Sequence, residues 1–245
     1  MDRDDLPVGR VLSRREALTV LGASGLALLA GGAHQTPAWA GPRRRAPACV
    51  ARPEQTAGPY FVDAKLNRSD IRLDPASGEV KEGAPLDLVL AVSGLRAGNC
   101  APLSGAHVDI WHCDAMGVYS GVKDPGFDTV GQSFLRGYQI TDGAGEARFR
   151  TIYPGWYPGR AVHIHFKVRT EPGSAQGHEF VSQLYFDEAL TDRVYSRMPY
   201  AGRKGQPDRN VDDGIFARGG EQLLLSPKAT GDGYSARFEV GLQLA

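Results

Sequence analysis

The run Tyr153-Pro154-Gly155-Trp156-Tyr157-Pro158-Gly159-Arg160-Ala161-Val162-His163-Ile164-His165-Phe166-Lys167-Val168 decides how this chain is read. Its first half is a loop punctuated by Gly and Pro and carrying aromatics. Its second half alternates: Val162, Ile164, Phe166 and Val168 fall on one side of an extended chain, and His163, His165 and Lys167 on the other. Such a strand buries its branched and aromatic face and sets two imidazoles side by side on the opposite face. Two His at i, i+2 can share one metal ion; that face can also simply meet solvent. Tyr157 and Arg160 precede the pair in a loop able to fold back over it.

Working outward, a second strand-like run, Val108-Asp109-Ile110-Trp111-His112-Cys113, leads through a turn to Tyr119. Residues 86–92 read as a strand, and with residues 106–113 they are expected to form a hairpin. Residues 134–141 and 147–152 read as a second hairpin about Asp142-Gly143 and Gly145. Residues 118–132 read as a loop, 180–186 as a strand bearing Gln183, 189–195 as one short helical turn, and 234–244 as an outer strand. Many short strands, repeated turn signals and almost no helical periodicity argue an all-β, antiparallel β-sandwich.

The 245 residues suit one sizeable domain, and 42% apolar and 23% charged residues are ordinary for a globular chain. The formal net charge is zero. Residues 1–40 hold four acidic and four basic residues, so the remainder is neutral as well. This balance gives no reason to expect nucleic-acid or anionic-membrane partners.

Residues 1–40 read as an address. Ser13-Arg14-Arg15-Glu16-Ala17-Leu18 is a twin-arginine pattern, a Gly/Ala-rich apolar run follows, and Ala38-Trp39-Ala40 offers a small-x-small cleavage site before Gly41. A retained membrane anchor is the alternative, but the run is broken by glycines and short for a span. The expected organisation is a twin-arginine signal peptide over 1–40 and one catalytic domain over 41–245, with 41–84 as an N-terminal arm. The product would be exported and not stably inserted in a membrane after cleavage.

In an oxidising compartment two of Cys49, Cys100 and Cys113 can pair. An intervening strand of ~8 residues would span roughly 26 Å, which separates Cys100 from Cys113 beyond disulfide reach. Cys49 with Cys100 is the expected pair; three free thiols remain the alternative.

Trp111-His112-Cys113-Asp114-Ala115-Met116-Gly117-Val118-Tyr119-Ser120, then Phe134-Leu135-Arg136-Gly137, Thr141-Asp142, and Pro154-Gly155-Trp156-Tyr157 running to Arg160 and His163-Ile164-His165-Phe166 resemble the intradiol ring-cleavage dioxygenases. That family includes protocatechuate 3,4-dioxygenase and catechol 1,2-dioxygenase. The resemblance runs from about Cys49 to the C-terminus. It implies a β-sandwich holding one Fe(III) per chain through Tyr119, Tyr157, His163 and His165. Hard oxygen donors suit a hard cation, and a zinc site would draw on Cys, His and carboxylates instead.

The resemblance also implies that Tyr157 leaves the metal and takes a proton from a catechol. Arg160 would stabilise developing negative charge, with Tyr60 and Gln183 near the substrate. Dioxygen would then open the ring between its two hydroxylated carbons, giving a cis,cis-muconate-type diacid. His112 is the rival ligand, read as structural; Arg136 and Asp142 are read as holding loops. Catechol-type members add a helical dimerisation region, for which the stretch between Gly41 and Leu86 leaves no room; a homo-oligomer of another kind stays open. The competing readings are a non-catalytic extracellular metal-binding carrier or structural module, and a copper or zinc enzyme.

Overall fold

The computed structural model describes residues 49–172, 174 and 177–244, so the expected leader and the first residues after it lie outside the described residues. Eleven strands are described: β1 (Pro85–Arg96), β2 (Asn99–Pro102), β3 (His107–Trp111), β4 (Lys123–Asp124), β5 (Phe127–Asp128), β6 (Arg136–Ile140), β7 (Glu146–Ile152), β8 (His163–Arg169), β9 (Glu179–Tyr185), β10 (Lys228–Ala229) and β11 (Tyr234–Gln243). The α-helix among the described residues is α1 (Glu188–Tyr195), two turns where the sequence suggests one. It starts on Asp187, whose side chain accepts from the Leu190 N–H, as an N-cap should. No helix among the described residues is long and apolar enough to cross a membrane.

Two sheets pack face to face. The first runs β10-β11-β1-β2, with β7 also paired to β1; the second runs β6-β3-β8-β9. Strand alternation builds the layer between them. From the first sheet come Leu86, Leu88, Leu90 and Val92 on β1 and Phe238, Val240 and Leu242 on β11. From the second come Val108 and Ile110 on β3 and Ile164, Phe166 and Val168 on β8, all buried. Phe166 touches both walls, with ring centroids 5.9 Å from Phe180 and 6.3 Å from Phe238. Each side chain of that size stabilises the fold by about 1.5–3 kcal/mol on burial. The sandwich expected from the sequence is therefore the fold found, antiparallel except where β1 pairs with β11 in parallel.

The two expected hairpins are corrected. β1 turns back on β2, not on the strand of residues 106–113, and that strand, as β3, pairs with β6 and β8 in the other sheet. Likewise β6 pairs with β3 while β7 pairs with β1. The turn at Asp142–Gly145 reverses the chain as expected, with the Gly145 N–H on Asp142 O at 2.9 Å, but it carries the chain from one sheet to the other. Alternation reports which face is buried, and it is the same for a hairpin partner and for a strand across the core. Residues 118–132, expected as loop, contain the two-residue β4–β5 hairpin.

The second sheet turns its other face away from the core, and a chain segment covers it. From Cys49 onward the segment lies along the sandwich without helix. Ala51 bridges Gly241 on β11, the Gln55 N–H bonds Val181 O at 2.9 Å, and Phe61 packs edge-on to Trp111 at 4.8 Å. Lys167, on the imidazole face of β8, is buried beneath it: its ammonium pairs with Glu179 at 2.7 Å and lies 4.1 Å over the Phe61 ring. A disulfide between Cys49 and Cys100, Cα–Cα 5.8 Å, ties the start of the segment to β2.

Cys113 is free and buried. A cross-link over a separation of 51 residues stabilises a fold by about 2–4 kcal/mol. Thiol titration of the oxidised protein should find no reactive thiol in the native state and one, Cys113, in denaturant. Three in denaturant would contradict the pairing.

Candidate metal centre

The register of the second sheet sets one row of side chains across its outer face. Trp111 lies opposite Arg136 on one side and His165 on the other, and His165 lies opposite Gln183. In the next row His163 faces Tyr185. Directly opposite residues share a face, so alternation on β8 delivers both imidazoles and their neighbours to the covered side. Trp111 stacks on His165 with centroids 5.0 Å apart and planes 4° apart. His163 and His165 bring their Nε2 atoms to 3.1 Å. The Nδ1–H of His163 donates to Ala161 O at 2.6 Å, which leaves its Nε2 as a lone-pair donor toward the cluster.

Two loops bring the phenols. Asp114 shapes the first: its Oδ1 accepts from the N–H groups of Met116 at 2.9 Å and Val118 at 3.0 Å. Gly117 supplies the φ of 83° that the turn requires. Tyr119 follows, its carbonyl accepting from Thr129 Oγ1 at 2.7 Å, and the next residue is held by Arg136, which donates to Ser120 Oγ at 2.8 Å. Arg136 also reaches Tyr60 O at 3.2 Å, so it does hold the loops together.

The second loop, residues 153–160, lies against the first. The Gly155 N–H bonds Asp114 O at 3.2 Å. A Cβ on Gly155 would overlap that oxygen and come within 2.7 Å of Ala115 O. Arg203 bonds the carbonyls of both Met116 and Trp156 and stacks 4.1 Å over the Trp156 ring.

The result is a compact cluster. Tyr157 Oη sits 3.3 Å from His163 Nε2, and the Tyr119 ring is 5.7 Å from Tyr157 and 6.4 Å from His165, centroid to centroid. Tyr119 is 1% exposed, His165 1% and His163 3%. Tyr119 Oη is buried without a well-formed hydrogen bond, the Tyr157 hydroxyl being its polar neighbour, and a poorly satisfied buried hydroxyl costs stability unless something else binds it. No group of three His, Cys, Asp or Glu among the described residues could hold a metal. A cation at the imidazole pair would therefore have to draw its further protein ligands from the phenols.

Burial governs the electrostatics. It lowers the His163 pKa to about 3, with the Arg160 charge adding to the effect, and sets His165 well below its ordinary value, helped by His163. Burial also raises Tyr119 well above an ordinary phenol, assisted by Tyr157. It raises Tyr157 too, against the pull of Arg160. Four uncharged donors thus meet at one spot at neutral pH.

Arg160 reaches the cluster from the side. Its Nη1 is 3.4 Å from Tyr157 Oη and 3.5 Å from His163 Nε2. Its Nη2 donates to Gln183 Oε1 and its Nε to Asp213 Oδ2 at 3.0 Å. Gln183 is fully buried. Its Nε2 donates to Thr56 O at 2.9 Å and its Oε1 accepts from Tyr185 Oη at 3.1 Å, so the amide grips Arg160. Tyr60 stacks on Tyr119 at 4.5 Å and meets Tyr157 edge-on at 5.9 Å, and its hydroxyl donates to Asp124 at 2.8 Å. His112 lies apart: its Nδ1 bonds Cys113 O at 2.8 Å and its Nε2 bonds Thr151 Oγ1 at 2.7 Å, so both nitrogens are spent.

Three neighbours are absent from the sequence reading of the site. Tyr185 and the stacking role of Trp111 follow from alternation along β9 and β3, whereas nothing local to Asp213 marks it.

A dioxygenase family model matches residues 56–199. The protocatechuate 3,4-dioxygenase beta chain of Burkholderia cepacia is 34% identical over 143 residues, covering 53% of this chain and 59% of that one. The catechol 1,2-dioxygenase of Candida albicans is 28% identical over 165 residues, covering 57% of this chain and 49% of that one. The chain thus spans about half the length of these curated relatives. Among solved structures, an intradiol ring-cleavage dioxygenase from Tetranychus urticae superposes with a TM-score of 0.68 at 28% identity, over 80% of this chain and 95% of that one. The dioxygenase domain of a carbohydrate-binding protein fusion from Streptomyces sp. SirexAA-E gives 0.55 at 30% identity, over 80% of this chain and 100% of that one. With the family match spanning more than half of its length, the chain belongs to the intradiol ring-cleavage dioxygenases.

Proposed function

We propose that this protein is an exported, non-haem Fe(III) dioxygenase that opens catecholic rings between their two hydroxylated carbons. The observation that carries the reading is the meeting of two phenols and two neutral imidazoles at one buried spot, with the Tyr119 hydroxyl lacking a well-formed hydrogen bond. Two oxygen and two nitrogen donors, with no carboxylate or thiolate, suit a hard trivalent cation once both phenols ionise. Tyr119, Tyr157, His163 and His165 would hold it, one iron per chain. Bound there, ferric iron would supply a Lewis acid that draws electron density from a chelated catecholate, so that the ring can react with dioxygen.

The chain's own residues do the rest. Burial keeps the phenols protonated without the cation, so loading must release their protons, and apparent affinity should rise with pH until both are ionised. Tyr157 is the less buried of the pair, half-buried where Tyr119 is enclosed, so it is the phenol with room to turn. Its oxygen would be the atom that takes the proton of an incoming catechol hydroxyl, because a phenol ordinarily holds a proton up to pH ~10. The Arg160 guanidinium stands beside Tyr157 Oη, placed to stabilise negative charge that develops as the ring is attacked. Tyr60 offers its ring, not its committed hydroxyl, to a substrate, and Gln183 serves by holding Arg160. The carbon–carbon bond between the hydroxylated carbons breaks, and both atoms of dioxygen end in the two carboxyl groups of a cis,cis-muconate-type product.

Export is proposed from the twin-arginine pattern at Ser13-Arg14-Arg15. The Cys49–Cys100 disulfide is in keeping with it, since such bonds persist outside the cytoplasm.

Three outcomes are expected. Iron-loaded protein given a catechol should consume one dioxygen per substrate and place both labelled oxygen atoms in the product. Coloured, iron-loaded protein inert toward every catechol would favour a carrier, and a colourless protein carrying copper or zinc would favour a different enzyme. Arg160→Gln should retain iron and lower kcat by about 10²–10³. Gly155→Ala should drive the two tyrosine loops apart and abolish iron binding while circular dichroism still reports the sandwich; full iron occupancy there would count against the ligand set.

A further inference from the structure

We propose that Asp213 is the positioning residue that aims Arg160 at the phenol–imidazole cluster, an inference that rests on the intradiol reading above. Asp213 lies beyond the residues 56–199 matched by the family model, and its side chain is fully buried. Both oxygens of its carboxylate are hydrogen-bonded. Oδ1 accepts from the Ile215 N–H at 2.7 Å and the Phe216 N–H at 3.2 Å. Oδ2 accepts from Arg160 Nε and from the Ala161 N–H, both at 3.0 Å. One oxygen is thus locked to its own C-terminal turn, and the other clamps both the side chain of Arg160 and the backbone that follows it.

The choice of Arg160 atom matters. An acid gripping the two terminal nitrogens would use up the face that the cluster needs. Asp213 instead takes Nε, and the planar guanidinium then presents Nη1 to Tyr157 and His163 and Nη2 to Gln183 and Tyr185. Gln183 and Tyr185 in turn lean on the covering segment, through Thr56 O and Gln55 Oε1 at 2.9 Å each. Arg160 follows Gly159, at a φ of 85°, a residue type whose backbone has the widest choice of conformations. Without the Nε anchor the side chain, already 13% exposed, can turn its charge outward to water. A carboxylate is suited to this task because a charged hydrogen bond is roughly twice as strong as a neutral one.

A purely structural role for Asp213 would weaken the fold and act independently of Arg160; a positioning role must act through it. The test is a double-mutant cycle on the iron-loaded full chain, with Asp213→Asn, Arg160→Gln and the pair. Asp213→Asn should keep the circular dichroism spectrum and iron content and lower kcat for catechol roughly 10²-fold, the cost of a misplaced group, with KM changing far less. In the Arg160→Gln background the same substitution should lower kcat no further.

A second readout needs neither iron nor turnover: phenylglyoxal should modify Arg160 several-fold faster in Asp213→Asn than in the wild type, read by peptide mass. If Asp213→Asn does not fold, Asp213→Glu takes its place in both measurements. Equal losses of kcat in the two backgrounds, or unchanged Arg160 reactivity in a folded variant, would overturn the inference. A wild-type protein that takes up no dioxygen with any catechol would overturn the functional reading instead, and the labelling would still decide the role of Asp213.

Discussion

Desolvation is the constraint on which the rest of this structure depends. Two imidazoles and two phenols are removed from water at one place, and burial pushes each toward its uncharged form. A buried hydroxyl without a well-formed hydrogen bond, as at Tyr119, is costly, and native folds rarely keep one without a reason. The cost falls away if a cation converts the phenols to phenolates and takes the nitrogen lone pairs. A folded chain that holds its donors neutral and poised therefore gains stability from binding, and it exchanges protons for charge in doing so.

The sandwich makes this possible by giving one sheet two covered faces. Its inner face carries Ile164, Phe166 and Val168 into the core. Its outer face carries the imidazoles, which would meet water but for the covering segment from Cys49 through Phe61. That segment is fastened at many points: the disulfide at its start, Arg52 on Glu239 O and Gln222 O, and Gln55 on Val181 O. Gly58, at a φ of 66° that favours glycine, turns it close to His165. Covering is thus part of the chemistry, because it sets the low-dielectric surroundings that keep the donors neutral and make the Arg160 charge felt.

Much of this was legible in the sequence, for reasons that also mark where legibility stops. Alternation in residues 162–168 separates the core face from the imidazole face, and the Gly/Pro loop before it announces a turn carrying Tyr157. Strand pairing was less legible: β1 and β3 each alternate as hairpin partners would, yet they lie in opposite sheets. A buried face looks the same whichever strand covers it. The engagement of Gln183 with Arg160 was half visible, since its place on β9 fixes its face but not its partner. Asp213 was not visible at all, because a carboxylate in a polar, Gly/Pro-rich stretch carries no periodic signal and its partner is 53 residues away.

The central claim is that Tyr119 and Tyr157 both belong to one iron site with His163 and His165, and the visible spectrum of the iron-loaded protein tests it most directly. Phenolate-to-iron charge transfer depends on the oxygens that are bound, so Tyr119→Phe and Tyr157→Phe should each shift or weaken the visible band of the wild type. If iron binds and neither substitution alters the band, the ligand assignment is contradicted, and the proposed chemistry with it.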